Sequence, residues 1–475
     1  MFLASHFAVF STVSNSTLRM TIQINPQQPS LGAMNFFRFW GILLYASGVI
    51  ADLPIHCVLS QVTGLWEFRS WKDPVVSPRS CSDDLADLAE LSAPTFVHLS
   101  SAKVDETDRI NSDAGLTNRV QSSPGGGWGV VADEGMVVRV GNRDSTVFYG
   151  QFKYSVDPSV DSSQRVKYTL PDGRTPGYIS NCNALSRGWA LVGSGEKRTV
   201  FCLIGRRVDH SGPELRGSII SPHTRTLMPR HWSESHYPVE FQVTPYIKPR
   251  QYDIQPKSCG SCFVLTFAFA FERILSHKLS TLGVGDTPPM RMDTEFMLQS
   301  SFSSRGCDGG YYESLILDLT VTGIRLCDNA GADSACNPSS ALVFPRGFVQ
   351  LQTEAEVKQS LVSNGPVLVG LFLEPKIFGN FNSETVYEVP RSTHTEEWDY
   401  INHGVVITGW GVDEAGTKFW STFNPWGYEA RLRRGDSHDW YLKYAVAILP
   451  DLCRGYAFEQ IESHVVDARR ILKCD

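Results

Sequence analysis

The sequence predicts an α+β protein with a β-rich front domain and a second domain that joins a buried helix to a late β hairpin. Three stretches carry that expectation. Residues 52 to about 205 read as short apolar strands broken by turns. At Cys262 a glycine-containing turn gives way to Phe263–Arg273, a run so apolar on every side that it can be helical only if buried. After His403, two apolar runs flank the turn-rich Val412–Thr417, the pattern of an antiparallel hairpin.

At 475 residues the chain can bury two substantial cores. It is 42% hydrophobic and 20% charged, with a formal net charge of −7. Such mild acidity provides no basic face for a nucleic acid, so no nucleic-acid partner is expected. Eleven cysteines point to an oxidising compartment, and an odd number is what one free thiol plus disulfides would leave. No metal-ligand set is assigned.

Residues 1–51 read as a leader and signal peptide. Met34–Trp40, with Arg38, leads into an apolar core, Gly41–Ala51, that ends in a Val-x-Ala cleavage pattern. The stretch is short for a membrane span, and no other stretch is apolar enough for one, so no anchor is expected after cleavage. The first 33 residues are polar and rich in Ser and Thr, which makes Met34 a candidate start. Asn15 carries an Asn-x-Ser/Thr sequon upstream of the cleavage site. Cleavage after Ala51 would leave Asp52 at the mature N-terminus.

The front domain, 52–205, opens with Val58–Phe68 and continues through Gly135–Val140 and Thr146–Tyr154. Ser122–Gly127 and Pro171-Asp172-Gly173 punctuate it as turns. Leu85, Leu88 and Leu91, spaced by three, allow a helical turn or two. An all-β barrel or sandwich follows from these runs. Residues 206–227 are polar and aperiodic, a linker or short propeptide in which Arg206-Arg207 would be a trypsin-like cut site. The second domain runs from 228 to 475.

Cys262 sits at the N-terminus of the buried helix, where unpaired N–H groups and the helix dipole favour a thiolate. In the hairpin, the entry of the first strand faces the exit of the second, so His403 and Asn424 meet at one end. An imidazole there can take the thiol proton, and an amide beside it can fix the tautomer. Cys262, His403 and Asn424 are the candidate catalytic residues.

The segment Cys259-Gly260-Ser261-Cys262-Phe263, with Asn402-His403-Gly404 141 residues beyond the nucleophile and Asn424-Pro425-Trp426-Gly427 162 beyond it, resembles the papain-like cysteine peptidases. The resemblance implies a two-lobed domain with a helical half and a β half. It implies that Trp426 shields the His–Asn bond, and that a glutamine side chain joins the Cys262 N–H as the second oxyanion donor. The family's spacing puts Pro256 at that glutamine's position. Gln255 lies one residue further out and can serve if the extra residue loops out. Gly306-Cys307-Asp308-Gly309-Gly310 resembles the family's Gly-Cys-x-Gly-Gly, which implies that Gly309 and Gly310 run alongside the substrate.

Ahead of this domain, Asp52-x-Pro54-x-x-Cys57, Phe152-Lys153-Tyr154, Tyr178–Cys182 and Gly188-Trp189 through Cys202 are similar to the cathepsin C (dipeptidyl peptidase I) branch. That branch carries an all-β barrel exclusion domain, which makes residues 52–205 such a barrel. Met228–Trp232 resembles the branch's entry into the peptidase domain. By the same resemblance Cys57 pairs with Cys182, Cys81 with Cys202 and Cys259 with Cys307. The usual partners of Cys327 and Cys336 are absent, which leaves these two, nine residues apart, to bridge each other. Cys453 and Cys474 are assigned to each other at a C-terminal extension.

The resemblance implies a thiol exopeptidase that removes dipeptides from peptides and proteins with free N-termini, with Asp52 binding the α-amino group. It also implies a homotetramer and a secreted or lysosome-like location. The branch's chloride-holding tyrosine is replaced at Ala330, which argues against chloride, and no other cofactor is required. Two alternatives stay open: a papain-like endopeptidase, and a degenerate papain fold used for binding, prompted by Gln255, Ala330 and Pro425.

Overall fold

The computed structural model describes residues 55–209 and 237–474, except 56, 76–80, 82–90, 104–117, 122–125, 132–133, 142–145, 166–175, 194–197, 244–253, 257–258, 285–289, 302, 305, 330–333, 375–380, 382–383, 391–392, 396–397, 400 and 436–437. Asp52, the signal-like stretch 34–51, Leu85, Leu88, most of the 206–227 segment, Met228–Trp232 and Ala330 thus lie outside the described residues. The first unit, Met1–Gly48, contributes one short ladder, Val13–Ser14 against Thr17–Leu18. Everything below concerns the second unit, Val49–Asp475.

Eight antiparallel strands close into a barrel: β1 (Gly64–Ser70), β2 (Thr95–Lys103), β3 (Asn118–Gln121), β4 (Gly127–Val131), β5 (Gly135–Val140), β6 (Thr146–Val156), β7 (Tyr178–Val192) and β8 (Thr199–Asp209), with β8 pairing back onto β1. Side chains alternate between two environments, as a pleated strand demands. Met136, Val138, Phe148 and Ala190 fill the barrel interior together with Trp66, Phe68 and Trp128. Their neighbours Val137, Val147, Tyr149, Trp189 and Leu191 point the other way, into a core shared with the helices of the second domain. At about 1.5–3 kcal/mol for each large apolar side chain buried, this shared core binds the barrel firmly to its neighbour. Disulfides Cys57–Cys182 and Cys81–Cys202 fasten the preceding segments to the barrel wall.

The barrel does not end at residue 205. Arg206 and Arg207 are strand residues, opposite Glu67 and Trp66 across the β8–β1 ladder. Arg206 Nη2 lies 2.7 Å from the Glu67 carboxylate, which is only 4% exposed, and Arg207 Nη1 donates to the Gln61 carbonyl at 2.6 Å. The expected linker therefore begins after Asp209, and the dibasic pair is part of a hydrogen-bonded wall. A polar composition conceals this strand because its charges serve a buried partner.

In the second domain α1 (Cys262–Thr281) and α2 (Tyr312–Thr322) precede a mostly antiparallel sheet. Its main strands are β9 (Pro345–Leu351), β10 (Val367–Leu371), β11 (His403–Val412), β12 (Lys418–Asn424), β13 (Tyr428–Arg433) and β14 (Ala445–Pro450), in the spatial order β9-β14-β10-β11-β12-β13. The sheet separates two cores. Leu368, Val406, Phe423, Val446 and Ile448 face the helices, while Val369, Val405, Ile407, Trp420 and Ala447 face the opposite side. A helical half and a β half thus meet along one sheet. Phe269 of α1 stacks flat on Phe423 of β12, with centroids 3.7 Å apart. Cys259–Cys307, Cys327–Cys336 and Cys453–Cys474 are also bonded, which leaves Cys262 as the free cysteine.

Candidate active site

Cys262 is the first residue of α1. The Ser261 carbonyl accepts from the Val264 and Leu265 N–H groups at 3.1 Å, so the helix starts with the thiol at its mouth. Phe263, Val264, Phe267, Ala270, Phe271 and Ile274 are all buried, which meets the requirement for burial read from the sequence. Burial pushes the Cys262 thiol above its ordinary pKa, and backbone hydrogen bonds from Gly404, Phe263 and Cys262 itself offset this only in part. Desolvation disfavours a lone thiolate here, although Cys262 keeps an intermediate exposure. The ionised form needs a counter-charge formed with it.

That counter-charge can only come from β11. His403 opens the strand opposite Leu371, and Asn402 just before it clamps the Leu373 backbone, accepting from its N–H at 2.8 Å and donating to its carbonyl at 2.9 Å. The Gly404 backbone, one residue past the imidazole, reaches the thiol. His403 Nε2 lies 3.0 Å from Asn424 Oδ1, in the last residue of β12. The Trp426 N–H also points to Oδ1, at 3.4 Å, which marks that atom as the amide oxygen. Nε2 must then carry the proton, leaving the Nδ1 lone pair as the base. Trp426 stacks on the imidazole with ring centroids 4.4 Å apart. Burial lowers the His403 pKa to about 4, partly countered by Asn424. Burial thus disfavours the charge on each group taken alone, and a proton passing from thiol to imidazole creates two charges that compensate each other.

Gln255 is fixed by its own N–H, which donates to the Pro425 carbonyl at 2.8 Å, next to Asn424. Its amide Nε2 donates to the Cys259 carbonyl at 3.0 Å, three residues before the nucleophile. One proton of that amide remains for a second acceptor. Gly309 has φ of +107°, a conformation few other residues adopt. Gly310 packs against the ring of Phe263, where a Cβ would come within 2.8 Å of the ring carbon Cε2 and 2.7 Å of Ser304 Cβ. Gly310 thus serves the packing against Phe263, the residue after the nucleophile. Among the described residues no cluster of three or more His, Cys, Asp or Glu could hold a metal ion.

Three groups near the site were missed in the sequence reading. Thr266 and Tyr312 sit under Cys262, hydroxyl to hydroxyl at 2.9 Å. Tyr311, directly after the glycine pair, points its hydroxyl at barrel residue Glu134, 3.3 Å away. Gln151 of the barrel reaches the Ser303 carbonyl at 3.4 Å. A polar residue inside the apolar α1 run, Thr266, was the one available clue.

Comparison with known proteins agrees with this geometry. Residues 250–432 match the family model described as papain family cysteine protease. Cathepsin L of Sarcophaga peregrina is 25% identical over 179 residues, which cover 36% of this chain and 49% of that protein. Ananain of Ananas comosus is 28% identical, over 36% of this chain and 46% of its own length. Cysteine endopeptidase RepA of Oryza sativa subsp. japonica is 26% identical, over 38% and 48%. The chain spans about half the length of the curated relatives it matches. The span that matches this family model, residues 250–432, holds both the free thiol of Cys262 and the hydrogen-bonded His403–Asn424 pair.

Proposed function

We propose that the chain is a thiol peptidase acting through Cys262, His403 and Asn424, and that it releases dipeptides from free N-termini. The observation that carries the peptidase reading is the 3.0 Å His403–Asn424 hydrogen bond, with Nδ1 left as base on the strand whose next residue touches the one free thiol. His403 takes the Cys262 proton, and sulfur attacks the substrate carbonyl. The oxyanion is met by the Cys262 N–H and the spare Gln255 amide proton. The imidazolium then protonates the leaving amine, and water cleaves the thioester.

The dipeptidyl reading is supported by the barrel. Its β4–β5 turn and β6 lie beside residues 303–311, through Glu134–Tyr311 and Gln151–Ser303, next to the glycine pair that the resemblance puts along the substrate. A wall there limits how far a chain extends past the cut. Asp52 would hold the substrate α-amino group, whose pKa of about 7.7–8.0 keeps it charged at acidic pH. The five disulfides fit a secretory, oxidising compartment.

A second reading, endopeptidase, is favoured by the rice relative, a cysteine endopeptidase. One experiment separates them: hydrolysis of a dipeptidyl substrate with a free amine, the same substrate N-terminally blocked, and a long blocked peptide. Turnover of the free-amine substrate alone, lost in Asp52→Ala and abolished in Cys262→Ala, is expected. Cleavage of the long blocked peptide at comparable rates would establish the endopeptidase instead. Full turnover in Cys262→Ala would refute the site.

A further inference from the structure

Beneath the nucleophile a tyrosine joins the two halves of the site. Tyr312, in the first turn of α2, is 6% exposed. Thr266 Oγ1 donates its single proton to the Cys262 carbonyl at 2.6 Å, so the hydroxyl contact at 2.9 Å requires Tyr312 to donate to Thr266. The result is a directed chain, Tyr312 to Thr266 to the Cys262 peptide. The same hydroxyl lies against Gly404 on the opposite strand. A Cβ at residue 404 would collide with it, and would lie 3.1 Å from the tyrosine Cζ and 3.7 Å from Thr266 Oγ1. Burial first, and then the nearby Cys262 and Glu313, hold the phenol well above its ordinary pKa, so it stays a neutral donor.

We propose that Tyr312 is a positioning residue whose hydroxyl, wedged between Thr266 on the nucleophile helix and Gly404 on the histidine strand, sets the separation of Cys262 and His403. The proposal rests on the peptidase reading above. Each half of the site has its own anchor: α1 carries the thiol, and β11 carries the base. Phe269 stacked on Phe423 joins the two halves two turns along the helix but does not set the gap at the thiol, where a displacement of about 1 Å can cost 10²-fold in rate. A rigid phenol hydrogen-bonded to one side and in van der Waals contact with the other does. It also explains a glycine after the histidine, since any larger residue would force the strand off the tyrosine. The Gly404 backbone bond to the thiol, which lowers the Cys262 pKa, depends on the same spacing.

The test is the rate of Cys262 alkylation by iodoacetamide as a function of pH, which reads the thiol–imidazole pair without any peptide substrate. Tyr312→Phe keeps the ring and removes the hydroxyl. Without the hydroxyl the thiol and imidazole are no longer held at one spacing, which should raise the alkylation midpoint by about one pH unit and lower kcat about tenfold, with KM little changed. Thr266→Val, which removes the acceptor on the helix side, should shift the midpoint the same way and serves if Tyr312→Phe does not fold. Gly404→Ala should lose at least about 10²-fold in alkylation, and Tyr312→Phe added to it should recover part of the loss, because the colliding oxygen is gone. An unchanged midpoint in both single variants, or a double variant no faster than Gly404→Ala, overturns the proposal. A parent whose Cys262 alkylates normally while no peptide is cut would count against the peptidase reading instead.

Discussion

The indole of Trp426 lies over the imidazole of His403, with ring centroids 4.4 Å apart and planes inclined by 28°. The backbone N–H of the same residue points to the Asn424 oxygen that His403 also meets. The backbone contribution survives any substitution, so the side chain can be tested alone. Trp426→Ala should lower kcat/KM about fivefold, in line with roughly 1 kcal/mol for an aromatic pair, and Trp426→Phe should keep most of the rate. Equal rates for parent and Trp426→Ala would show that the stacking has no catalytic role.

The amide of Gln255 has one proton free, while its partner bond to the Cys259 carbonyl holds it beside the nucleophile. If that proton meets the oxyanion, Gln255→Ala should cost about 10²–10³ in kcat and leave KM near the parent value. Gln255→Glu should be no better than alanine, because it replaces a donor with a charge of the wrong sign. A variant within twofold of the parent would assign the second donor elsewhere.

His403 gives the fold a pH dependence whose sign follows from its lowered pKa. An imidazole of ordinary pKa near 6.5 in the unfolded chain is depressed by burial to about 4 in the native state. Between those values the unfolded chain binds the proton more readily. Its contribution to stability is therefore complete above about pH 6.5, falls as the pH drops, and is gone below about 4; the full amount is about 3 kcal/mol. Urea midpoints measured at pH 7 and pH 4 should fall further for the parent than for His403→Gln. Parallel declines would mean that the imidazole is not held neutral.

Arg206 and Arg207 should resist trypsin in the native protein. Their peptide groups belong to the β8–β1 ladder, and Arg206 and Arg69 hold Glu67 ionised although burial alone would raise its pKa. Limited digestion followed by mass analysis should find no termini at these two residues. Abundant cleavage there would restore the reading of a processing site.

How much of this was legible in the sequence varied with the physical cause. The nucleophile helix announced itself, because eleven consecutive residues from Phe263 to Arg273 with so few polar positions leave only a buried helix. The hairpin was readable because its turn and its two apolar runs are local, and it delivers His403 to Asn424 by register. Tyr312 was not readable. Its role depends on two residues, Thr266 and Gly404, that are 46 and 92 positions away, and a tyrosine in the first turn of a helix has no local signature. The end of the barrel was missed for a related reason. Arg206 looks like linker until Glu67, 139 residues earlier, is placed across from it.

Val137 and Val138 are adjacent, both essentially buried, and face opposite ways. Val138 lies inside the barrel, and Val137 lies in the core that the barrel shares with α1 and α2. A carboxylate at either position would be buried without a partner, but the consequences differ. Val138→Asp should unfold the barrel itself. Val137→Asp should leave the barrel folded and release it from the peptidase domain, because the penalty can be relieved by exposing that one face to water. Calorimetry of the parent should give one cooperative transition for barrel and peptidase together, while Val137→Asp should give two. If the barrel walls off the cleft, Val137→Asp should also gain activity on long blocked peptides, while keeping the Cys262-dependent cleavage of short ones. A Val137→Asp protein with a single transition and unchanged substrate preference would mean that the shared core neither couples the two domains nor limits the substrate.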